Sequence, residues 1–126
     1  MKVFDPIRKQ YVELTPEEQV RQYCINVLTK QFGYPKSAIA VEGQINLNSM
    51  TRRFDILVYD KALKPFLLVE CKRKEVKLTQ QTVDQVVSYN FAIQAPYIMI
   101  TNSLTTYLIE YKDGEYAFLD TLPAYR

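Results

Sequence analysis

The chain has 126 residues, of which 48% are hydrophobic, and this is enough for one domain with a sizeable core. Its formal net charge of +2 is too small to indicate a nucleic-acid partner by itself. Histidine is absent, which excludes a Ser-His-Asp triad, histidine-based acid–base chemistry and the common zinc sites. The N-terminus lacks the apolar run of a signal peptide, and no stretch approaches the roughly 20 apolar residues of a membrane span, so we expect a cytoplasmic protein.

Residues 1–14 are predicted to be an arm that contains at most a small edge strand. A helix follows, because Thr15 is a suitable N-cap, a proline occupies the first helical position, and Glu18 completes a capping box. Apolar residues at helical spacing continue to about Phe32, where a nearby glycine and proline end the helix. Cys24 lies on the apolar face and is expected to be a buried free thiol.

Residues 38–47 mix β-branched and polar residues in loose alternation, so we predict a strand with a bend at Gly43. Glu42 on this strand could be an acid near a functional site, although such a glutamate more often faces solvent. Residues 46–50 favour a loop.

The runs 54–59 and 66–71 are rich in β-branched and aromatic residues and are predicted to be the strands of one hairpin. The six residues between them start with an aspartate and end with a proline, which both favour turns. If the hairpin closes symmetrically, Asp55 lies directly opposite Glu70.

This register predicts a charged patch on one face of the hairpin. Side chains alternate between the two faces of a strand, so Asp55, Glu70 and Lys72 share a face. The thiol of Cys71 points to the other face, where we expect it to be buried. Two carboxylates that face each other repel, and a divalent cation bound by their oxygens is the usual compensation. The lysine then supplies a positive charge that stabilises a phosphate or helps to deprotonate water.

A second helix is predicted from about Thr79 to Gln94. Gln85 and Tyr89 lie one turn apart on a single stripe of this helix, where an amide and a phenol could hold a lysine or a phosphate. Polar residues on a half-exposed helix face are the simpler alternative.

Three more strands are predicted at 96–102, 105–111 and 116–120, and an Asp-Gly turn joins the last two. The second helix would be a right-handed crossover from the strand of Glu70, which makes that strand parallel to the strand at 96–102. The order of elements predicts an α/β fold, with a mixed sheet and helices packed on it.

Asp55 followed by Glu70-Cys71-Lys72 resembles the core motif of the PD-(D/E)XK nuclease superfamily. The segments TPEEQVRQ, RRFDILVYD, LLVECKRK and QVVSYN are similar, in this order, to the N-terminal domain of the type I restriction enzyme R subunit. Phe54 stands where the superfamily name has proline, a position that varies in such nucleases. The resemblance implies a restriction-endonuclease-like αβββαβ core with an added C-terminal hairpin, as a single nuclease domain that spans the chain.

The resemblance also implies the chemistry, which is metal-dependent hydrolysis of DNA phosphodiester bonds by an endonuclease of restriction or DNA-processing type. Asp55, Glu70 and the backbone carbonyl of Cys71 would bind Mg²⁺ or Mn²⁺. Lys72 would stabilise the charge that develops on the phosphate.

Many such nucleases carry a further acid on the first helix. We assign this role to Glu17, at the edge of the apolar face, and expect Glu18 to point away. An acid that only complements the helix dipole is an equally good explanation of Glu17. The Gln85-x-x-x-Tyr89 pair resembles the QxxxY element that follows the core motif in several nuclease branches.

Basic residues cluster around the proposed site, and Arg53, Arg73 and Lys74 are the candidates for binding DNA. A solvated basic rim is the alternative. The resemblance implies DNA and other restriction-system subunits as partners, and a homodimer is plausible because so small a domain usually needs a second copy to cut both strands. Two other functions stay open, a non-catalytic DNA-binding module of a larger restriction complex and a scaffold whose hairpin charges are solvated.

Overall fold

The computed structural model describes all 126 residues. It contains two α helices, α1 and α2, and eight strands, β1 to β8. In chain order they are β1 Lys2–Asp5, β2 Gln10–Glu13, α1 Pro16–Asn26, β3 Ile39–Leu47, β4 Met50–Tyr59, β5 Pro65–Cys71, α2 Gln80–Ile93, β6 Tyr97–Thr101, β7 Thr106–Lys112 and β8 Glu115–Leu119. Neither helix has the length and apolar character that crossing a membrane requires.

Six strands form one sheet in the order β3-β4-β5-β6-β7-β8, so each strand lies beside its neighbour in the sequence. All neighbours are antiparallel except β5 and β6, because α2 carries the chain from the end of β5 back to the start of β6. The predicted mixed sheet, its parallel pair and the closing β7–β8 hairpin are confirmed.

Each helix covers one face of the sheet. α1 packs in a cluster with Ile56 and Val69, whereas α2 packs in a second cluster with the adjacent residues Leu57 and Leu68. The central strands are therefore buried on both faces, which explains why their sequences are continuous apolar runs rather than alternating ones.

Residues 1–14 form a closed hairpin, so the prediction of an arm is wrong. β1 and β2 pair antiparallel along their whole length. Asp5 closes the turn between them, because its Oδ1 accepts hydrogen bonds from the backbone N–H groups of Ile7 at 2.7 Å and Arg8 at 2.9 Å. Strands of four residues are too short for a reliable pattern, and this turn depends on a single side chain.

α1 begins as predicted, with Thr15 as its N-cap, and the threonine hydroxyl accepts a hydrogen bond from the N–H of Glu18 at 3.1 Å. The second half of the predicted capping box is absent, because the Glu18 carboxylate binds arginine side chains instead of the cap backbone. Regular α-helical geometry ends at Asn26 rather than near Phe32. A wider π-helical turn follows, and then Gly33, with φ 69°, reverses the chain.

β3 and β4 form a long hairpin that extends through most of the predicted loop at 46–50. Its pairing is interrupted at Glu42, whose φ of 48° lies in a region that glutamate rarely adopts. At Gly43, the predicted bend, a Cβ atom would lie 2.6 Å from Cζ of Phe54. The phenylalanine ring thus packs directly on the glycine and fixes β4 one residue before Asp55.

Candidate active site

β4 and β5 bring two carboxylates together. Their register pairs Ile56 with Val69, and one further step along both strands places Asp55 opposite Glu70. Oδ2 of Asp55 accepts a hydrogen bond from the N–H of Cys71 at 2.8 Å, so the aspartate is attached to the glutamate's strand. The predicted register is present at this end of the hairpin, while a bulge near the turn makes the other end asymmetric.

Lys72 follows β5 directly, and its Nζ lies 3.7 Å from Oε1 of Glu70. Its backbone N–H donates a hydrogen bond of 2.9 Å to the carbonyl of Thr101 in β6, which anchors the start of the loop. The structure therefore brings Asp55, Glu70 and Lys72 together on one patch, as strand alternation predicts.

The two carboxylates open into a cavity of about 510 Å³. Its other lining residues come from β3 and β4 and are Glu42, Gly43, Gln44, Arg53 and Phe54. Phe54 is the one hydrophobic residue of this lining, which also contains three acids and one arginine.

Placing two carboxylates face to face is electrostatically unfavourable. Burial and the nearby charge of Asp55 raise the pKa of Glu70 from 4.5 to about 7, and Lys72 opposes this only in part. Carboxylate oxygens are the ligands that Mg²⁺ and Mn²⁺ prefer, and a divalent cation between them would remove the repulsion, so this donor set fits such an ion. No group of three or more Asp, Glu or Cys side chains could hold a metal, so an ion here would also need a backbone carbonyl or water.

The first helix turns Glu18, not Glu17, to the inside of the protein. Glu17 is exposed, whereas Glu18 is only 4% exposed. Arg21 and Ile25, at positions i+3 and i+7 from Glu18, are buried as well, so the buried face lies one residue later than its apolar residues alone indicate. The predicted orientations of both glutamates are wrong. A role for Glu17 at the metal stays a prediction that its exposure does not favour.

Glu18 is bound by two arginines that the sequence analysis did not single out. Its Oε2 lies 2.6 Å from Nη2 of Arg8, and its Oε1 lies 2.7 Å from Nη1 of Arg21. Nη2 of Arg21 lies in turn 3.2 Å from Oε1 of Glu42 and 3.4 Å from Oδ1 of Asp55. A chain of ion pairs therefore connects the β1–β2 turn with the cavity.

These ion pairs keep the buried groups charged. Burial alone would raise the pKa of Glu18, but hydrogen bonds from Arg8 and the charge of Arg21 hold it below its usual value. Burial alone would lower the pKa of Arg21, and the charges of Glu18, Glu42 and Asp55 raise it instead. The i, i+3 spacing of Glu18 and Arg21 is the one sequence signal that could have found this contact.

Tyr89 of α2 lies close to the carboxylates, and its hydroxyl is buried without a hydrogen-bond partner. Burial, together with the charge of Glu70, raises the pKa of this tyrosine. Gln85, one turn earlier on the helix, is exposed and does not line the cavity. Neither member of the QxxxY pair lines the cavity, but Tyr89 lies near enough to feel the charge of Glu70.

Of the predicted DNA-binding residues, Arg53 lines the cavity, while Arg73 and Lys74 are exposed in the loop after β5. Nε of Arg73 lies 3.6 Å from a carboxylate oxygen of Glu75, a contact that is weak between exposed side chains. One of the three candidates therefore lies at the cavity, and the role of all three in binding DNA stays a prediction.

Cys24 and Cys71 are buried free thiols, as predicted, with their Sγ atoms 3.7 Å apart. Their contact joins α1 to β5 on the face opposite the carboxylates. It therefore supports the backbone that carries Glu70 and Lys72.

The family described as Type I restriction enzyme R protein N terminus (HSDR_N) matches residues 16–123. The chain belongs to this family. Among curated proteins, none matches it. Among solved structures, a DUF820 protein from Anabaena variabilis ATCC 29413, to which a nuclease function has been ascribed, is similar to it with a TM-score of 0.55 and 10% sequence identity. That similarity covers 95% of this chain and 76% of the other, and at this identity it shows the fold alone.

The HSDR_N match and the restriction-endonuclease-like fold agree with each other, and the candidate site lies within the matched residues. The matched residues include α1, α2 and the whole six-stranded sheet. The β1–β2 hairpin, which supplies Arg8 to the ion pairs, lies before the matched region.

Proposed function

We propose that this HSDR_N domain is a metal-dependent endonuclease that hydrolyses DNA phosphodiester bonds, of restriction or DNA-processing type. The observation that carries the proposal is the pair Asp55 and Glu70, which face each other at an open cavity with Lys72 beside them. Membership of a restriction-enzyme family and the nuclease function ascribed to a protein of similar fold support it.

In this proposal, Asp55, Glu70 and the backbone carbonyl of Cys71 hold Mg²⁺ or Mn²⁺. A divalent ion there would polarise the phosphate and make water a better nucleophile. The N–H of Cys71 holds one carboxylate oxygen of Asp55 in place, which fixes the orientation of the carboxylate. Lys72, whose Nζ lies 3.7 Å from Oε1 of Glu70, stabilises the negative charge that grows on the phosphate during attack.

The distribution of charge indicates the side from which DNA approaches. Residues 43–54, in β3 and β4, contain two arginines and no acid, and residues 72–77 contain four basic residues and one acid. The β7–β8 hairpin at the other edge of the sheet is acidic, with Glu110, Asp113, Glu115 and Asp120 against one lysine. A polyanion is therefore drawn to the end of the sheet where β4 begins and β5 ends, which carries Arg53, Arg73 and Lys74.

The test is cleavage of supercoiled plasmid DNA with Mg²⁺ or Mn²⁺, comparing the wild-type chain with Lys72→Ala and Lys64→Ala. Lys64 lies in the exposed turn before β5, so its replacement removes the same charge at the opposite end of the same strand. We expect nicking or linearisation that requires metal, is lost in Lys72→Ala and persists in Lys64→Ala. Equal metal-dependent cleavage by Lys72→Ala would refute the role of this lysine.

The alternative is a non-catalytic DNA-binding module that acts with other subunits of a restriction complex, and the family description, which concerns the N terminus of a larger R protein, favours it. It predicts no cleavage by any variant, together with DNA binding that weakens steeply with salt and does not depend on Lys72.

A further inference from the structure

Four acids of β3, β4, β5 and α1 lie within a short distance of the cavity, but they are not equivalent. They are Glu18, Glu42, Asp55 and Glu70. Many nucleases bind two divalent ions through carboxylates, but these four side chains do not converge on one ion as they stand. The contacts of each acid determine how many of them are free to bind an ion.

Glu18 has no free carboxylate oxygen. One oxygen is 2.7 Å from Arg21, and the other is 2.6 Å from Arg8 and 3.0 Å from the side-chain amide of Gln22. Charge-assisted hydrogen bonds of this length are strong, and the side chain is almost completely buried. Turning Glu18 towards a metal would break all three contacts and take from two arginines their closest shared acid.

Glu42 is exposed, but both of its oxygens also contact arginines. Oε1 lies 3.2 Å from Nη2 of Arg21, and Oε2 lies 3.1 Å from Nη1 of Arg8. The same Nη2 lies 3.4 Å from Asp55, so a single nitrogen of Arg21 serves both acids. Arg21 thus supplies the positive charge that a second metal ion would otherwise supply to them.

Burying Arg21 costs folding free energy. Its side chain is nearly inaccessible, and its Nε is buried without a hydrogen-bond partner. A buried donor without a partner destabilises a protein. The arginine is therefore held where its charge acts on Glu18, Glu42 and Asp55, although this does not satisfy all its donors.

We propose that Arg21 restricts the site to one divalent cation, because together with Arg8 it binds both carboxylate oxygens of Glu18 and of Glu42. Asp55 shares only the longer contact of 3.4 Å with Arg21, and Glu70 contacts Lys72 rather than either arginine, so these two are the metal-binding carboxylates. The inference deepens the proposed function and rests on its metal dependence. Arg21 is a positioning residue in this scheme, since it acts through the acids that it binds.

The test is a titration of the full, metal-free chain with Mn²⁺, in which the free ion is counted by electron paramagnetic resonance. Wild type should bind one Mn²⁺ per chain. Arg21→Gln should bind a second Mn²⁺ through the Oε1 atoms of Glu18 and Glu42 that Arg21 releases, while Arg8 still binds their Oε2 atoms. It should bind the first Mn²⁺ roughly tenfold more tightly, which is the effect of removing one positive charge a few ångströms from a doubly charged ion. Arg53→Gln removes the same charge from the lining of the cavity without freeing Glu18 or Glu42, and this variant should still bind one Mn²⁺.

Because Arg21→Gln leaves buried acids without a partner, its folding is checked by circular dichroism. The double variant Glu18→Gln, Arg21→Gln keeps the net charge and should also bind two ions. Two Mn²⁺ bound by wild type, or one bound by a folded Arg21 variant, would overturn the inference and leave the proposed function intact. No Mn²⁺ bound by wild type would overturn the inference together with the metal dependence of the proposed function.

Discussion

Replacing Glu70 by glutamine should stabilise the metal-free protein at alkaline pH. In the folded chain its pKa is about 7, against an ordinary value of 4.5, because the carboxylate is buried beside Asp55. A raised carboxyl pKa means that the folded state holds the proton more tightly than the unfolded state. The contribution of Glu70 to stability is therefore fully present below pH 4.5 and is lost as the pH rises through 7. Glutamine mimics the neutral form and should abolish this loss.

The magnitude follows from the same pKa values. The full difference between the pKa of Glu70 in the folded chain and its ordinary value corresponds to a loss of roughly 3 kcal/mol in the free energy of unfolding above pH 7. Since Asp55 and Lys72 share in the titration, we expect about half of it, roughly 1–2 kcal/mol. For a domain of this size that is a rise in melting temperature of roughly 4–8 °C.

The assay is thermal unfolding at pH 8, first with EDTA and then with excess Mn²⁺. With EDTA, Glu70→Gln should melt at a higher temperature than wild type. With Mn²⁺, wild type should gain about 2.7 kcal/mol when the ion is at 100 times its dissociation constant, and the variant should gain much less. Glu75→Gln makes the same chemical change at an exposed glutamate five residues later and should behave like wild type in both conditions.

Two results would refute this reasoning. If Glu70→Gln and wild type melt at the same temperature in EDTA, Glu70 is a solvated surface residue rather than half of a repelling pair. If Mn²⁺ also changes the melting temperatures of both proteins equally, the charged residues of the hairpin do not bind metal. The interpretation of the chain as a scaffold then gains support.

Two further substitutions test the packing at and near the site, both by urea denaturation. Gly43→Ala should lower the free energy of unfolding by roughly 1–3 kcal/mol, because its new methyl group would lie 2.6 Å from the Phe54 ring. Adding Phe54→Leu to the same chain should recover part of this stability. If the losses of the two substitutions are purely additive, the contact between the two residues is contradicted. Tyr89→Phe should stabilise the metal-free protein by about 0.5–1 kcal/mol, because it removes a buried hydroxyl that has no partner. A loss of stability instead would show that the hydroxyl is hydrogen-bonded in solution.

The part of the site that could be predicted from the sequence is the part that strand geometry determines. Asp55, Glu70 and Lys72 lie on a hairpin, where alternation and a short turn largely fix which side chains face each other. A bulge at the turn did not disturb them, because the apolar residues of both strands must stay buried on their own faces of the sheet. The same logic placed the buried thiol of Cys71 on the other face.

The ion pairs behind the site could not be predicted in this way, because they join segments that are distant in sequence and consist of residues usually found on the surface. Arg21 is 34 residues from Asp55, and an arginine on a helix normally indicates a solvent-facing position. Assuming that Arg21 faces solvent shifts the inferred buried face of α1 by one residue. Glu17 is then predicted to face inwards in place of Glu18. A motif of spaced acids therefore predicts which carboxylates face each other, but only the buried arginines determine which of them are free to bind a metal.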